Sequence, residues 1–261
     1  MSVKQSATVG DLLREWRGRR RFSQLDLASE AEVSTRHLSF VERGRSTPSR
    51  DFLMKLAEPL DLPLRERNRL LLAGGYAPMH TELDISAPDM AMARLAVETV
   101  LRGHEPFPAL AVDRHWNLVE ANNGAQALLE GIDPGLLSPP INVLRASLHP
   151  KGLTPHILNL PEWRHHVLSR LRSDAGRSAD PDLASLHEEL RRLPTPAGSG
   201  SCGSDPTIAV PLRLRHPKTK TVLSFISTTT VFGSAVDVTL AELTLECFYP
   251  ADETTREALQ V

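Results

Sequence analysis

The stretch from Phe22 to Ser49, FSQLDLASEAEVSTRHLSFVERGRSTPS, decides how this chain is read. Its spacing predicts two short helices joined by a tight turn. Ser23-Gln24 opens the first helix, and Leu27-Ala28 supplies its buried face. Val33-Ser34 ends the turn, and Ser34 caps a second helix that runs through Leu38 and Val41 to Glu42. Arg43-Gly44-Arg45 stops it, because a glycine just past a helix end takes the left-handed conformation cheaply. On the second helix Leu38 and Val41 face inward, while Thr35, Arg36, Ser39 and Arg43 share the opposite face. Short polar groups and arginines in that pattern suit base edges and phosphates. Arg36 is placed to grip a guanine through two parallel hydrogen bonds. The Ser34 hydroxyl and the amides beside it suit a phosphate, and Arg45 extends the candidate face past the stop. Phe40 either meets a thymine methyl or packs on a neighbouring helix. The same polar residues on an isolated helix would mean only a solvated surface; the complete motif favours DNA.

The motif resembles the helix-turn-helix of the phage-repressor-like (XRE) transcription regulators, with the pattern SQxxLAxxxxVSxxxLSxxExGxxxPS. The resemblance implies that Gln24 contacts the DNA backbone. One position departs from it: the family usually has glycine just before the Val-Ser pair, and here stands Glu32. A non-glycine held there in the left-handed conformation costs about 1 kcal/mol, too little to refuse the motif.

Around this core the pattern predicts an all-α, five-helix domain over residues 1–75. Val9 to Arg20 forms the first helix, burying Leu12, Leu13 and Trp16 and ending in the basic run Arg17 to Arg21. Arg50 to Leu60 and Leu64 to Ala73 form the fourth and fifth, and Gly74-Gly75 closes the bundle. Leu27, Leu38, Leu53 and Leu56 join Trp16 in the expected core. Residues 1–80 carry 14 Lys or Arg against 10 Asp or Glu, and the remainder 16 against 22. A basic head on an acidic body fits a DNA reader followed by a domain that does not bind DNA.

The 261 residues suffice for two domains with cores of their own. Two cysteines, Cys202 and Cys247, show no metal spacing, and their scarcity suggests a reducing, cytoplasmic setting. No apolar run approaches the roughly 18 residues of a membrane span, and no hydrophobic leader is recognisable. Pro194 to Pro206, PTPAGSGSCGSDP, reads as a flexible loop.

Residues 76–104 read as a linker and a connector helix, Asp89 to Arg102, with Met90, Ala93, Val97, Val100 and Leu101 on one side. That helix either packs a core or also carries a change between domains. From 105 to 261 an α+β domain is expected. Two strands, Ala109 to Val112 and Asn117 to Ala121, flank a turn, and Asn122 caps a helix. Helices follow at Asn142 to Leu148, Leu160 to Ser173 and Asp182 to Leu193. Three strands close the chain at Ile208 to Arg215, Val222 to Val231 and Val238 to Tyr249, with turns at Lys218-Thr219-Lys220 and Gly233 to Asp237. Together they predict a five-stranded antiparallel sheet with its helices inserted after the second strand, similar to PAS sensor domains.

The helix-turn-helix head, the linker RERNRLLLAGGYAP and the segments ALAVDRHWNLVEANNGAQALL, NVLRASLHPKGL and DVTLAELTLECFYPADETT together resemble the MmyB-like transcription regulators. That resemblance implies a PAS-like ligand-binding half. It departs where many relatives carry a Ser-Pro-x-Phe segment followed by a Trp-containing stretch; the Pro/Gly/Ser loop stands there, so ligand contacts from that segment do not carry over.

In such a fold the pocket lies between sheet and inserted helices. The candidate walls are Leu128, Val143, Leu144, Leu148, Trp163, Val167, Leu223 and Phe225, with Arg145 and His149 as polar anchors. An apolar tail with a carboxylate, such as a fatty acid, suits that lining; the plainer alternative is that these residues fill a core. His149, His156, His165, His166 and His187 lack HExxH spacing, and Ser224 and Ser227 lack nucleophile-elbow glycines, so neither metal nor catalysis is expected. No cofactor is expected. The leading reading is a homodimeric regulator that binds double-stranded DNA at a palindromic operator and senses a small molecule. The competing readings are a second domain that only dimerises, and an enzyme with a DNA-binding head.

Overall fold

A computed structural model of the chain describes residues 7–194, 209–216 and 219–260. The Pro194 to Pro206 loop, Cys202, Ile208 and Lys218 lie outside them, apart from Pro194 itself. The described residues divide into two compact units. The first runs to Leu83 and includes Ser234–Ala241; the second takes Asp84–Gly233 and the chain from Glu242 onward.

The first unit is the expected helical bundle: α1 (Val9–Arg19), α2 (Gln24–Glu30), α3 (Thr35–Glu42), α4 (Arg50–Ala57) and α5 (Leu64–Ala73). Side-chain oxygens start four of these helices. Thr8 and Ser23 each form a capping box, with Asp11 and Asp26 respectively, and Ser34 and Ser49 accept from His37 and Phe52 N–H. Leu12, Leu13, Trp16, Leu27, Leu38, Leu53 and Leu56 are all at most 2 % exposed, so the expected core is the observed one. Helix α1 crosses α3 at Gly10, where a Cβ would lie 2.4 Å from the Glu42 carbonyl oxygen. Glu32 adopts φ 51°, the left-handed turn expected at that position.

After α5 the chain is tied back onto the bundle. Tyr76 donates its hydroxyl to the Pro48 carbonyl, and the buried Asn68 bonds Met79 N–H, His80 N–H and the His80 carbonyl.

The second unit opens with α6 (Ala91–Gly103), preceded by a 3-10 turn at Pro88–Met90, and continues through β1 (Ala109–Val112), β2 (Leu118–Ala121) and α7 (Asn123–Leu129). Helices α8 (Val143–Leu148), α9 (Leu160–Ser178) and α10 (Pro181–Arg192) precede β3 (Leu212–Arg215), β4 (Val222–Val231), α11 (Val238–Ala241), β5 (Thr244–Pro250) and α12 (Glu253–Leu259). The strands form one antiparallel sheet in the order β2-β1-β5-β4-β3, with α7 to α10 inserted after β2 as the sequence predicts. Asn122 starts α7 by accepting from Ala125 N–H and also takes Ala109 N–H, which locks the helix to β1.

One expected strand is corrected. Val238 to Tyr249 is not a single strand: a helical turn, α11, comes first, and β5 begins at Thr244. The cause is Asp237, whose carboxylate accepts from Leu240 N–H at 3.2 Å while its carbonyl accepts from Ala241 N–H. An Asp before an apolar run is a helix-start signal that the β-branched Val238 and Thr239 obscured. The terminal helix α12, started by Asp252, was not anticipated either.

Candidate functional site

Two places in the molecule gather the predicted site residues. The first is the outer face of α3. Ser34 and Arg36 are exposed there, and Thr35 and Ser39 are half-buried. Gly44 takes φ 69°, and Arg45 N–H returns to the Phe40 carbonyl, so the helix stops where the sequence predicted. Phe40 does a job that the sequence reading did not offer. Its half-buried ring lies 5.4 Å from the Arg36 guanidinium and 5.8 Å from that of Arg43, and both cations are drawn to its face. Arg43 also donates to the Ser39 carbonyl at 3.0 Å and to the Ser39 hydroxyl. Two exposed arginines are thereby held along one helix face.

Gln24, at the first turn of α2, is oriented from beneath. Its amide donates to Glu42 at 2.6 Å. Glu42 is 2 % exposed and grips Arg17 with both oxygens, at 2.7 and 3.0 Å. Hydrogen bonding to Glu42 raises the Arg17 pKa above its ordinary value. The α1–α2–α3 junction is therefore cross-braced by one buried carboxylate, and that brace fixes where Gln24 stands relative to α3.

The second place is a cavity of about 100 Å³ in the second unit, between the sheet and α7, α8 and α9. Leu128, Val143, Leu144, Trp163 and Val167 line it as expected. Five other candidates are not among its lining residues. Leu148, Leu223 and Phe225 are at most 1 % exposed and fill the core. Arg145 is paired with Glu189 through two 2.7 Å hydrogen bonds, and this partner is the main reason its pKa is raised. His149 accepts from Lys151 N–H. A carboxylate anchor at Arg145 thus meets a guanidinium already engaged at the surface.

The polar end of the cavity is made by residues the sequence reading missed. Arg170 of α9 and Glu246 of β5 both line it, joined by hydrogen bonds of 3.0 and 2.6 Å. Glu246 also accepts from the Thr229 hydroxyl, and the Arg170 guanidinium sits 4.6 Å from the Trp116 ring. His166 and Ser227 complete the polar lining together with Ser147, which accepts the Trp163 indole N–H. The sequence carries a signal for three of them. Trp163, His166, Val167 and Arg170 follow i, i+3, i+4, i+7 spacing, so the apolar stripe of α9 carries His and Arg with it. Glu246 interrupts the apolar strand LTLECFYP, a pattern that marks an inward charge.

Elsewhere in the unit His115 lies 2.9 Å from Asp180, with Asp182 nearby. The Arg114 guanidinium is already on Asp180 at 3.2 Å, and Asp180 starts α10 by accepting Asp182 N–H. These contacts account for the group as a helix start tied to the β1–β2 turn.

The MmyB-like transcription regulator ligand binding domain matches residues 93–261, and a helix-turn-helix domain family matches residues 8–70. A putative HTH-type transcriptional regulatory protein of Methanoculleus marisnigri is 41% identical over 111 residues, which are 41% of this chain and 35% of that protein. An uncharacterized HTH-type transcriptional regulator of Mycobacterium bovis is 32% identical over 130 residues, 48% of this chain and 45% of its own. The matched segments thus span less than half the length of these curated relatives. Among solved structures, the SinR protein/SinI protein complex and the clp gene regulator ClgR from Corynebacterium glutamicum each share 22% identity over 38% of this chain. They cover 84% and 90% of those chains, at TM-scores of 0.22 and 0.23.

Proposed function

Since the chain belongs to the MmyB-like transcription regulators, we propose that it is a one-component regulator: residues 1–75 read an operator, residues 76–104 link and connect, and residues 105–261 sense a small, mainly apolar molecule. The observation that carries this reading is the pairing of an arginine-bearing α3 face with a largely apolar cavity in one chain. A single recognition helix reads few base pairs, so specificity calls for a homodimer on a palindrome, its half-sites about 10 base pairs apart. Helix α6 supports self-association: Met92 and Leu95, one turn apart, are 86% and 62% exposed. A regulator of this kind works in the cytoplasm; among the described residues no helix is long and apolar enough to cross a membrane.

Ligand control needs a physical connection, and chain connectivity supplies a candidate. Glu246 lines the cavity from β5, and β5 begins three residues after α11 ends. The segment that holds α11 belongs to the first unit, where it is hydrogen-bonded to the chain just after α5. An occupant that shifts β5 would pull on that segment. The ligand must favour one of the two arrangements, since equal affinity for both shifts nothing.

Native mass spectrometry of the purified full chain tests the reading. A dimer that releases a defined small molecule on denaturation supports it. A dimer without any adduct moves the second domain to a purely dimerising role.

A further inference from the structure

We propose that the cavity selects a small neutral ligand, with a short apolar body and an uncharged hydrogen-bonding group such as a hydroxyl or amide, and that it discriminates against free carboxylates. This inference rests on the reading of the second unit as a ligand-binding module and deepens it.

The cavity holds its own counter-charge. Among the described lining residues Arg170 is the one Lys or Arg, and Glu246 occupies it with both oxygens. Glu246 is 5% exposed and has a third bond from Thr229, so it is tightly placed. A ligand carboxylate would have two choices. It could displace Glu246 and leave that anion buried without its partner, or it could lie beside Glu246 and face a like charge. Either arrangement costs more than a hydrogen bond from one guanidinium returns, because an unpaired charge out of water is strongly disfavoured.

A neutral polar group meets neither difficulty. His166 and Ser227 line the same cavity, and neither side chain has a hydrogen-bond partner among the described residues. Burial first, and then repulsion from Arg170, hold the His166 imidazole below its ordinary pKa. At neutral pH it therefore meets an occupant uncharged, able to donate from one ring nitrogen and accept at the other. A hydroxyl or amide can use both this ring and the serine.

Size sets the body of the ligand. The cavity is about 100 Å³. A cavity of roughly 150 Å³ accommodates the six carbons of benzene, so about four or five non-hydrogen atoms fit without enlargement.

Trp116 and Trp163 both line the cavity and report its occupancy by fluorescence. The full chain would be titrated at neutral pH with propan-1-ol, propanamide and propanoate, which share a short apolar body and differ in the head. The expected result is a dissociation constant for the alcohol or the amide at least about tenfold lower than for propanoate. Propanoate binding as tightly as, or tighter than, both neutral probes would overturn the proposal and leave the cavity a ligand site. No response to any of the three would instead contradict the reading of the cavity as a ligand site. Glu246→Gln provides the second arm. It frees Arg170 for a ligand anion, so the affinity for propanoate relative to propan-1-ol should rise by at least about tenfold. A folded variant with unchanged preference would overturn the proposal; if the variant does not fold, the ratio in the unaltered chain decides.

Discussion

Val238, in the turn between β4 and β5, donates its backbone N–H to the carbonyl oxygen of Thr81 at 2.8 Å. Beside it the Asp237 carboxylate accepts from Leu83 N–H at 3.1 Å, and the Val236 carbonyl is 3.1 Å from the His80 ring. The strand connection of the sheet thus becomes part of the helical unit. Asn68 of α5 holds the same stretch from the other side through Met79 and His80. A short ladder of hydrogen bonds therefore runs from α5 through residues 79–83 to the turn that precedes β5.

Asp237→Ala should separate sensing from DNA binding. The substitution removes the acceptor for Leu83 and Leu240 N–H from a site where Asp237 is 7% exposed. Leaving part-buried donors unpaired costs about 1 kcal/mol, toward the low end of the range for buried groups, visible as a lower denaturation midpoint. In a folded sample the operator affinity of the ligand-free variant should match the parent, while its response to ligand disappears. A full ligand response in this variant would show that the ladder carries nothing.

Arg36→Ala and Arg43→Ala should fail differently on DNA. Loss of a base-reading arginine weakens specific binding by about 1–3 kcal/mol and relaxes preference at one base pair. Loss of a phosphate contact weakens all sequences alike and reduces the salt-dependence slope by about 1. We expect the first pattern for Arg36 and the second for Arg43, measured by anisotropy on an operator and on random DNA. Equal losses on both DNAs for Arg36→Ala would remove it as a base reader.

Phe40→Ala should weaken operator binding with no DNA contact of its own required. The ring lies against both guanidinium groups, and a cation–ring contact at an exposed site contributes about 0.5–1 kcal/mol. A combined loss near that size, absent once Arg36 and Arg43 are both alanine, would fit a positioning role. An undiminished loss in that background would mean that Phe40 touches the DNA itself.

Glu32→Gly should raise thermal stability. Glu32 holds φ 51°, and relief of that left-handed residue is worth up to about 1 kcal/mol, partly offset by glycine's larger loss of chain entropy. Calorimetry should show the midpoint higher by a few degrees, with operator affinity unchanged. A lower midpoint would mean that the Glu32 side chain supplies more than the strain removes.

Met92→Glu combined with Leu95→Glu should dissociate the protein if α6 forms the dimer contact. Both side chains are exposed on one turn of that helix, so the change costs the isolated chain little. Light scattering would read a monomer; an unchanged dimer would place the contact elsewhere.

Much of this architecture was legible because its signals are local. Serine caps, the Gly44 stop and the inward leucines fall at fixed offsets within single helices, so the bundle follows from spacing alone. The sheet with its inserted helices was readable from β-branched runs punctuated by turns. The cavity's polar end was not, because it pairs Arg170 with Glu246 across 76 residues, and neither position shows its partner in the sequence. Arg145 stands among apolar residues in the sequence and so reads as an anchor, yet its side chain pairs with Glu189. The turn at Asp237 was missed for a related reason: β-branched neighbours read as strand, while the hydrogen bonds that hold it as a helix start come partly from Leu83.

Occupancy of the cavity is expected to change the grip on DNA. A fluorescent operator selected from random sequence would be titrated with the full chain, once ligand-free and once with the cavity saturated by the molecule recovered from the native protein. The two dissociation constants should differ by about 5- to 150-fold, the usual range of coupling between two sites. Identical constants in the two titrations, with ligand bound in one and absent in the other, would contradict it.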